Sequence, residues 1–223
     1  MKVTNYQNQK QTVFNIIILG LLSFILSFAS LEVLAQPAPL SGVYTIDNTL
    51  PTGGSNFISF NDASIALDTN GISAAVVFNV GAGQTFNEQV NFTQVMGATA
   101  SNTITFNGNQ ATLVFSGGTS MAPYTLRLSG SDYFTFDGFF FNGWGTTHAY
   151  AAYLWDGANN NTFSNCTFNV PVNTSLNTHI PFVMSADSIN PISGSNSGAS
   201  CDSNEISFCE LNNGNSNVYI TGK

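Results

Sequence analysis

Phe136-Asp137-Gly138-Phe139-Phe140-Phe141-Asn142 aligns without a gap on Phe163-Ser164-Asn165-Cys166-Thr167-Phe168-Asn169, and again on Ile206-Ser207-Phe208-Cys209-Glu210-Leu211-Asn212. The shared pattern is [FI]-x-x-[FC]-x-[FL]-N, at offsets of 27 and 43 residues. A second series keeps phase with it: Ala152-Tyr153-Leu154-Trp155, Phe182-Val183-Met184-Ser185 and Val218-Tyr219-Ile220-Thr221. The longer offset reads as one coil carrying an inserted loop, residues 188–202, rich in Ser, Asn and Gly. A single turn of chain cannot bury its own apolar face, but like residues stacked on like residues build a continuous core. Phe136, Phe163 and Ile206 then form one inward ladder, and Phe139, Cys166 and Cys209 a second. Asn142, Asn169 and Asn212 form a ladder at a bend, because Asn tolerates left-handed backbone and its amide bonds to the next coil. The expected fold class is all-β, a parallel β-helix (a solenoid) with a short N-terminal capping helix, whose right hand is what the resemblance given below implies.

Working outward, the helix is residues 60–67, with Ala63, Ala66 and Leu67 at helical spacing, Ser59 or Asn61 as cap and Asn70-Gly71 as stop. Before it come a linker holding Pro37 and Pro39, a first strand at 43–46 and a turn at 51–56. After it, short apolar runs alternate with Asn/Gly/Ser turns: 75–80, 86–92, 103–106, 111–115, 124–128, 133–141, 151–155, 162–168, 181–186, 205–211 and 217–221. The domain expectation is a signal peptide at 1–35, a linker and first strand at 36–58, and a parallel β-helix at 59–223. The chain stops at Tyr219-Ile220-Thr221-Gly222-Lys223, where a new coil should start. A longer natural polypeptide covering that end, or end-to-end self-association, is therefore expected.

Only 7% of the 223 residues are charged, with 4 Lys or Arg against 12 Asp or Glu and a net charge of -8. A nucleic-acid partner needs a basic stripe to neutralise phosphates, and this chain has none. Polar residues with Lys2 and Lys10 precede an apolar run at 13–29, and Val33-Leu34-Ala35-Gln36 follows. That is the plan of a secretory signal cleaved after Ala35. An uncleaved signal segment would be the only membrane contact, and the expected location is outside the cell or on its outer surface. Cleavage leaves Arg127 and Lys223 as the only Lys or Arg. A surface so short of cations repels acidic polymers at long range, whereas neutral glycans are indifferent to it. The three Cys form no CxxC or zinc-type cluster. Cys166 and Cys209 share a ladder as thiols or as a disulfide, and Cys201 in the inserted loop is expected to be the exposed one.

Residues 56–92 look like the opening of right-handed parallel β-helix proteins of the pectin-lyase-like superfamily. The likeness rests on the helix, on Val76-Val77-Phe78-Asn79-Val80, and on Gly83-Gln84-Thr85-Phe86-Asn87-Glu88-Gln89-Val90. The last piece is similar to the G-x-Y-x-E segment of pectin methylesterases, with Phe86 for Tyr and Glu88 matching the Glu. Tyr124-Thr125-Leu126-Arg127-Leu128 and Asp132-Tyr133-Phe134-Thr135-Phe136-Asp137-Gly138 resemble the large surface β-helix proteins of Gram-negative bacteria. Those proteins often carry a type IX secretion sorting domain. The resemblance implies the fold and export. The catalytic motifs of the esterases (Q-D-T-L, D-F-I-F-G, L-G-R-P-W) and of polygalacturonases (N-x-D, D-D, G-H-G) are absent. Pectate lyases use calcium with an Arg or Lys base, and Arg127 alone cannot complete such a site.

The residues therefore point to no catalytic group and no resident cofactor. Candidate ligand contacts are Arg127, Asp132, Asp137, Trp144, Tyr153 and Trp155. Alternation along 124–128 turns Tyr124, Leu126 and Leu128 inward, and Thr125 and Arg127 outward. Arg127 then grips a ligand carboxylate or sugar hydroxyl, or pairs with Asp132 or another nearby acid. Trp144, Tyr150, Tyr153 and Trp155 offer rings for stacking on sugars, Trp144 being the best exposed. Asp132, Asp137 and Asp156 could supply oxygen ligands to calcium, or serve as solvated turn acids. Glu88 should point inward and accept backbone N–H bonds where helix meets coil. His148 and His179 read as solvated loop residues. The expected function is a surface scaffold, adhesive or glycan-binding, with a polysaccharide as partner. The alternative is the N-terminal part of a lyase, esterase or hydrolase whose catalytic coils lie elsewhere.

Overall fold

The computed structural model describes residues 37–172, 178–187, 192 and 198–221, together with 10–12, 14, 15 and 17. The expected signal segment and its cleavage site otherwise lie outside the described residues, as does most of the inserted loop. Among the described residues no helix is long and apolar enough to cross a membrane. The chain opens with β1 (Leu40–Ile46), β2 (Asn56–Phe57) and helix α1 (Phe60–Asn70). Five coils of three strands follow. The first is β3 (Ile72–Val80), β4 (Thr85–Asn87) and β5 (Val90–Thr93), and the second β6 (Ile104–Asn107), β7 (Thr112–Phe115) and β8 (Tyr124–Ser129). The third is β9 (Phe134–Asp137), β10 (Phe140–Gly143) and β11 (Ala149–Trp155). The fourth is β12 (Thr162–Ser164), β13 (Thr167–Asn169) and β14 (His179–Ser185), and the fifth β15 (Glu205–Ser207), β16 (Glu210–Asn212) and β17 (Val218–Thr221).

The three strands of each coil join three different sheets. First strands stack in the order β15-β12-β9-β6-β3-β1-β2, middle strands as β16-β13-β10-β7-β4, and third strands as β17-β14-β11-β8-β5. Every strand pair is parallel, which makes the molecule a right-handed parallel β-helix. The register is the one the repeats predict: Phe136 pairs with Phe163 and Phe163 with Ile206, while Asn142 pairs with Asn169 and Asn169 with Asn212. In the third sheet Ala152 pairs with Phe182 and Phe182 with Val218. The sheet of first strands extends back through Phe106 and Phe78 to Tyr44.

Inside, the first ladder is a column of stacked rings. Phe78 to Phe106 is 4.7 Å, Phe106 to Phe136 5.0 Å and Phe136 to Phe163 5.2 Å between centroids, with interplanar angles of 15°, 9° and 12°. Phe141 and Phe168 stack beside it at 5.2 Å. Such pairs add about 0.5–1.5 kcal/mol each beyond the area they bury. The Asn ladder forms, with Asn169 Nδ2 donating to Asn142 Oδ1 (2.8 Å) and Asn212 Nδ2 to Asn169 Oδ1 (3.0 Å), but it runs along the ends of the middle strands rather than at a left-handed bend, because the ladder needs parallel register and not a turn. A further Asn pair, outside the repeat pattern, links Asn107 Nδ2 to Asn79 Oδ1 at 2.9 Å.

The expected runs 133–141, 162–168 and 205–211 each prove to be two strands. They divide at Gly138 (φ 71°), Asn165 (φ 53°) and Phe208 (φ 54°). One left-handed residue turns the chain from the first sheet into the second without ending the apolar run, so composition alone does not reveal the corner. Asn suits that position and Gly suits it best. Phe208 occupies it with its ring exposed.

α1 runs three residues further than its expected end. Ser59 Oγ accepts from Asp62 N–H (3.0 Å) at the start, and Gly71 (φ 64°) donates its N–H to Leu67 O (2.9 Å) at the end. Phe60, on the first turn, reaches the core and meets Phe86 edge-on at 5.0 Å. The joint between helix and coil is closed by Glu88, in the corner between β4 and β5. Its Oε2 accepts from Asn61 N–H (3.0 Å) and its Oε1 from Phe60 N–H (3.3 Å), which is the role expected for it.

Candidate functional site

Stacking in register lays out two outward rows on the third sheet. One is Asn91, Arg127, Tyr153, Val183 and Tyr219; the other is Thr93, Ser129, Trp155, Ser185 and Thr221. Leu126, Leu128, Ala152, Leu154 and Phe182 point into the core between them. Alternation breaks at the start of two strands, where Thr125 and Leu126 are both buried and Ala151 and Ala152 both join the core. The expectation for Tyr124 and Thr125 is therefore reversed. Thr125 turns in and donates its hydroxyl to Asn142 O (3.0 Å), while Tyr124 joins an outer cluster with Tyr150, Tyr153, Ile180 and Val183.

Arg127 sits at the edge of this cluster, half-buried. Its guanidinium carbon lies 4.4 Å from the Tyr124 ring centroid and 5.4 Å from that of Trp155. Its Nε–H donates to Asn91 Oδ1 (2.8 Å), and the same oxygen accepts from Ser129 Oγ (2.7 Å). No carboxylate among the described residues pairs with it, so the expected ion pair with Asp132 or another acid is not formed. The reason lies in what the acids do instead. Asp132 Oδ1 accepts from Asn159 N–H (2.7 Å) in a corner ladder in which Gln94 caps Asp132 (3.1 Å) and Asn159 caps Asp202 (2.6 Å). Asp137 Oδ1 accepts from Ser164 Oγ (2.6 Å) and Asn165 Nδ2 (2.7 Å). Both acids bind coil to coil.

Asp132 and Asp137 flank opposite ends of β9, and Asp156 is exposed in the turn after β11. The structure does not bring these three together. Among the described residues no three His, Cys, Asp or Glu converge as cation ligands. Tyr153, expected as a ligand contact, is buried and donates its hydroxyl to Asp187 O (2.9 Å), with its phenol pKa pushed up by burial. It supports the outer cluster and cannot touch a ligand. Burial likewise pushes Tyr150 up to about 12. Trp144 is 41% exposed, on the turn after β10, and makes no ring contact with the Arg127 group. Of the six expected contacts, Arg127 and Trp155 are brought together.

The two His are not alike. His179 is buried, with Nε2–H donating to Gly145 O (3.0 Å) and Nδ1 accepting from Thr178 Oγ1 (2.9 Å), because a carbonyl can only accept. This overturns the expectation of a solvated residue. His148 Nδ1 is buried without a hydrogen bond, and burial, helped by His179, lowers its pKa. All three Cys are free thiols. Cys166 is buried, which pushes its pKa up to about 12, and its N–H donates to Cys209 Sγ at 3.3 Å. Cys201, expected exposed, is half-buried, and burial raises its thiol as well.

Sequence reasoning missed Tyr124, Asn91 and Ser129 as members of this site. Asn91 lies one coil away from Arg127, and only the register of β5 on β8 makes them neighbours. No protein-family model matches this chain, and no curated protein or solved structure matches it.

Proposed function

We propose that the protein is a secreted or cell-surface β-helix scaffold that binds glycans without catalysis, an adhesin in the broad sense. The observation carrying this reading is Arg127. It stands on the outer face of the third sheet, against two aromatic rings, with its charge uncompensated by any described carboxylate. A polar group held beside a buried Tyr and a half-buried Trp ring suits a sugar, which presents hydroxyls at its edge and C–H groups on its face. The sequence resemblance to exported β-helix proteins supports the same setting, and the lack of their catalytic motifs supports binding alone.

The test is retention of the purified protein on a panel of immobilised neutral and acidic polysaccharides, with the eluted polymer assayed for reducing ends and unsaturated products. Saturable retention with unchanged polymer is expected, and Trp155→Ala should weaken it by about ten-fold. Retention on no polysaccharide of the panel refutes glycan binding. New chain ends would make the protein an enzyme.

A further inference from the structure

We infer that the Arg127 site reads a single carboxylate on an otherwise neutral glycan, and this rests on the glycan-binding reading above. Arg127 is the only Lys or Arg between Lys10 and Lys223 in a chain of net charge -8. It nevertheless has no carboxylate partner among the described residues. Among the described residues, one of its five N–H donors has an acceptor, Asn91 Oδ1. That oxygen is itself held by Ser129 Oγ, so the Nε end of the guanidinium cannot swing. The Tyr124 ring centroid at 4.4 Å and that of Trp155 at 5.4 Å hold the guanidinium against aromatic faces. Among the described residues the terminal nitrogens have no protein acceptor. A planar fork held in place with its outer donors unused matches the two oxygens of a carboxylate better than a lone hydroxyl. Trp155 is half-buried and bordered by Ser129 and Ser185, so it offers a ring beside the fork for the sugar that bears the acid.

The surroundings limit the ligand to one charge. Beside Ser129 in the outward row is Thr93, whose hydroxyl donates to Asp68 Oδ1 at 2.7 Å, and the residue after Trp155 is the exposed Asp156. Acids therefore border the same outward row, Asp68 through Thr93 and Asp156 next to Trp155, and no second Lys or Arg is present in the coils. A polymer with a carboxylate on every sugar would set its neighbouring charges against these acids. A glycan with one acid among neutral sugars would not.

The experiment compares four immobilised polymers with the full protein: glucuronoxylan, whose acids are sparse; polygalacturonate, whose acids are continuous; and each of these with its carboxyl groups chemically reduced to CH2OH. Native glucuronoxylan should bind about ten-fold or more tighter than its reduced form and tighter than polygalacturonate. Arg127→Gln should bring the ratio of native to reduced glucuronoxylan near one. Arg127→Lys should keep part of it, since the charge remains and the fork is lost. Circular dichroism confirms that both variants fold, and the comparison of native with reduced polymer in the unaltered protein needs no variant. Equal binding of native and reduced glucuronoxylan, absence of binding to both, or a preference for polygalacturonate overturns the inference. Each of these leaves glycan binding standing if the wider panel retains the protein.

Discussion

Glu88 shows how one side chain can join two kinds of secondary structure. The first turn of a helix has backbone N–H groups with no partner inside the helix. Ser59 takes one, and the Glu88 carboxylate, arriving from the first coil, takes those of Phe60 and Asn61. Burial raises the carboxyl pKa above its ordinary value of 4.5, outweighing the lowering by those N–H groups. A carboxyl whose pKa is higher folded than unfolded contributes stability that is complete below the ordinary value. That contribution is lost as pH rises through the raised one. Urea unfolding of the native protein and of Glu88→Gln between about pH 3 and 7 isolates this effect. The stability of the native protein relative to the variant should fall as pH rises from 4.5 through the raised pKa, then level off. A difference flat across that range would show that Glu88 titrates as if exposed. At the same scale, Arg127 was legible as an outward cation from alternation alone. Its neighbours were not, because Thr125 turning inward toward Asn142 O shifts the phase of the strand start.

At the scale of the element, strands of three or four residues cannot stand alone. What holds them is the next coil, through backbone ladders and through side chains that repeat in register along the strands. Asn169 is the middle rung of such a ladder, donating to Asn142 and accepting from Asn212. Asn169→Ala removes both bonds and leaves two half-buried amides short of a partner. It should cost about 1–3 kcal/mol in urea unfolding. A loss under about 0.5 kcal/mol would mean that water replaces the rung without penalty. The shared Asn could be read in advance because the ladder demands the same residue at the same place in successive coils. The corner at Gly138, Asn165 and Phe208 could not, since three different residues adopt it and no common chemistry marks it.

At the scale of the whole molecule, the aromatic column runs through four coils, from Phe78 to Phe163. Phe106 is its second member, buried, and also touches Phe92 at 5.2 Å. Phe106→Ala opens a cavity between two coils that the stacked backbone cannot close, and should cost about 3–5 kcal/mol. Phe208→Ala, at an exposed corner, should change stability by less than about 0.5 kcal/mol. The two variants compared by chemical denaturation test whether the column carries the solenoid; equal effects would count against it.

The amino-acid sequence by itself determined the coil, the register from the third coil to the fifth, and the capping helix. Stacking like on like requires the same residue types at fixed offsets, and helix caps are local chemistry. Only the tertiary structure decided which polar and aromatic side chains meet on the outer face. Arg127, Asn91, Tyr124 and Trp155 come from three different coils, and their meeting depends on sheet register and on a break in alternation. Asp132 and Asp137 read as surface acids in sequence, yet each is used in bonding one coil to the next. Parallel stacking brings a side chain on one coil against the backbone or side chains of the next, and no linear pattern records that contact.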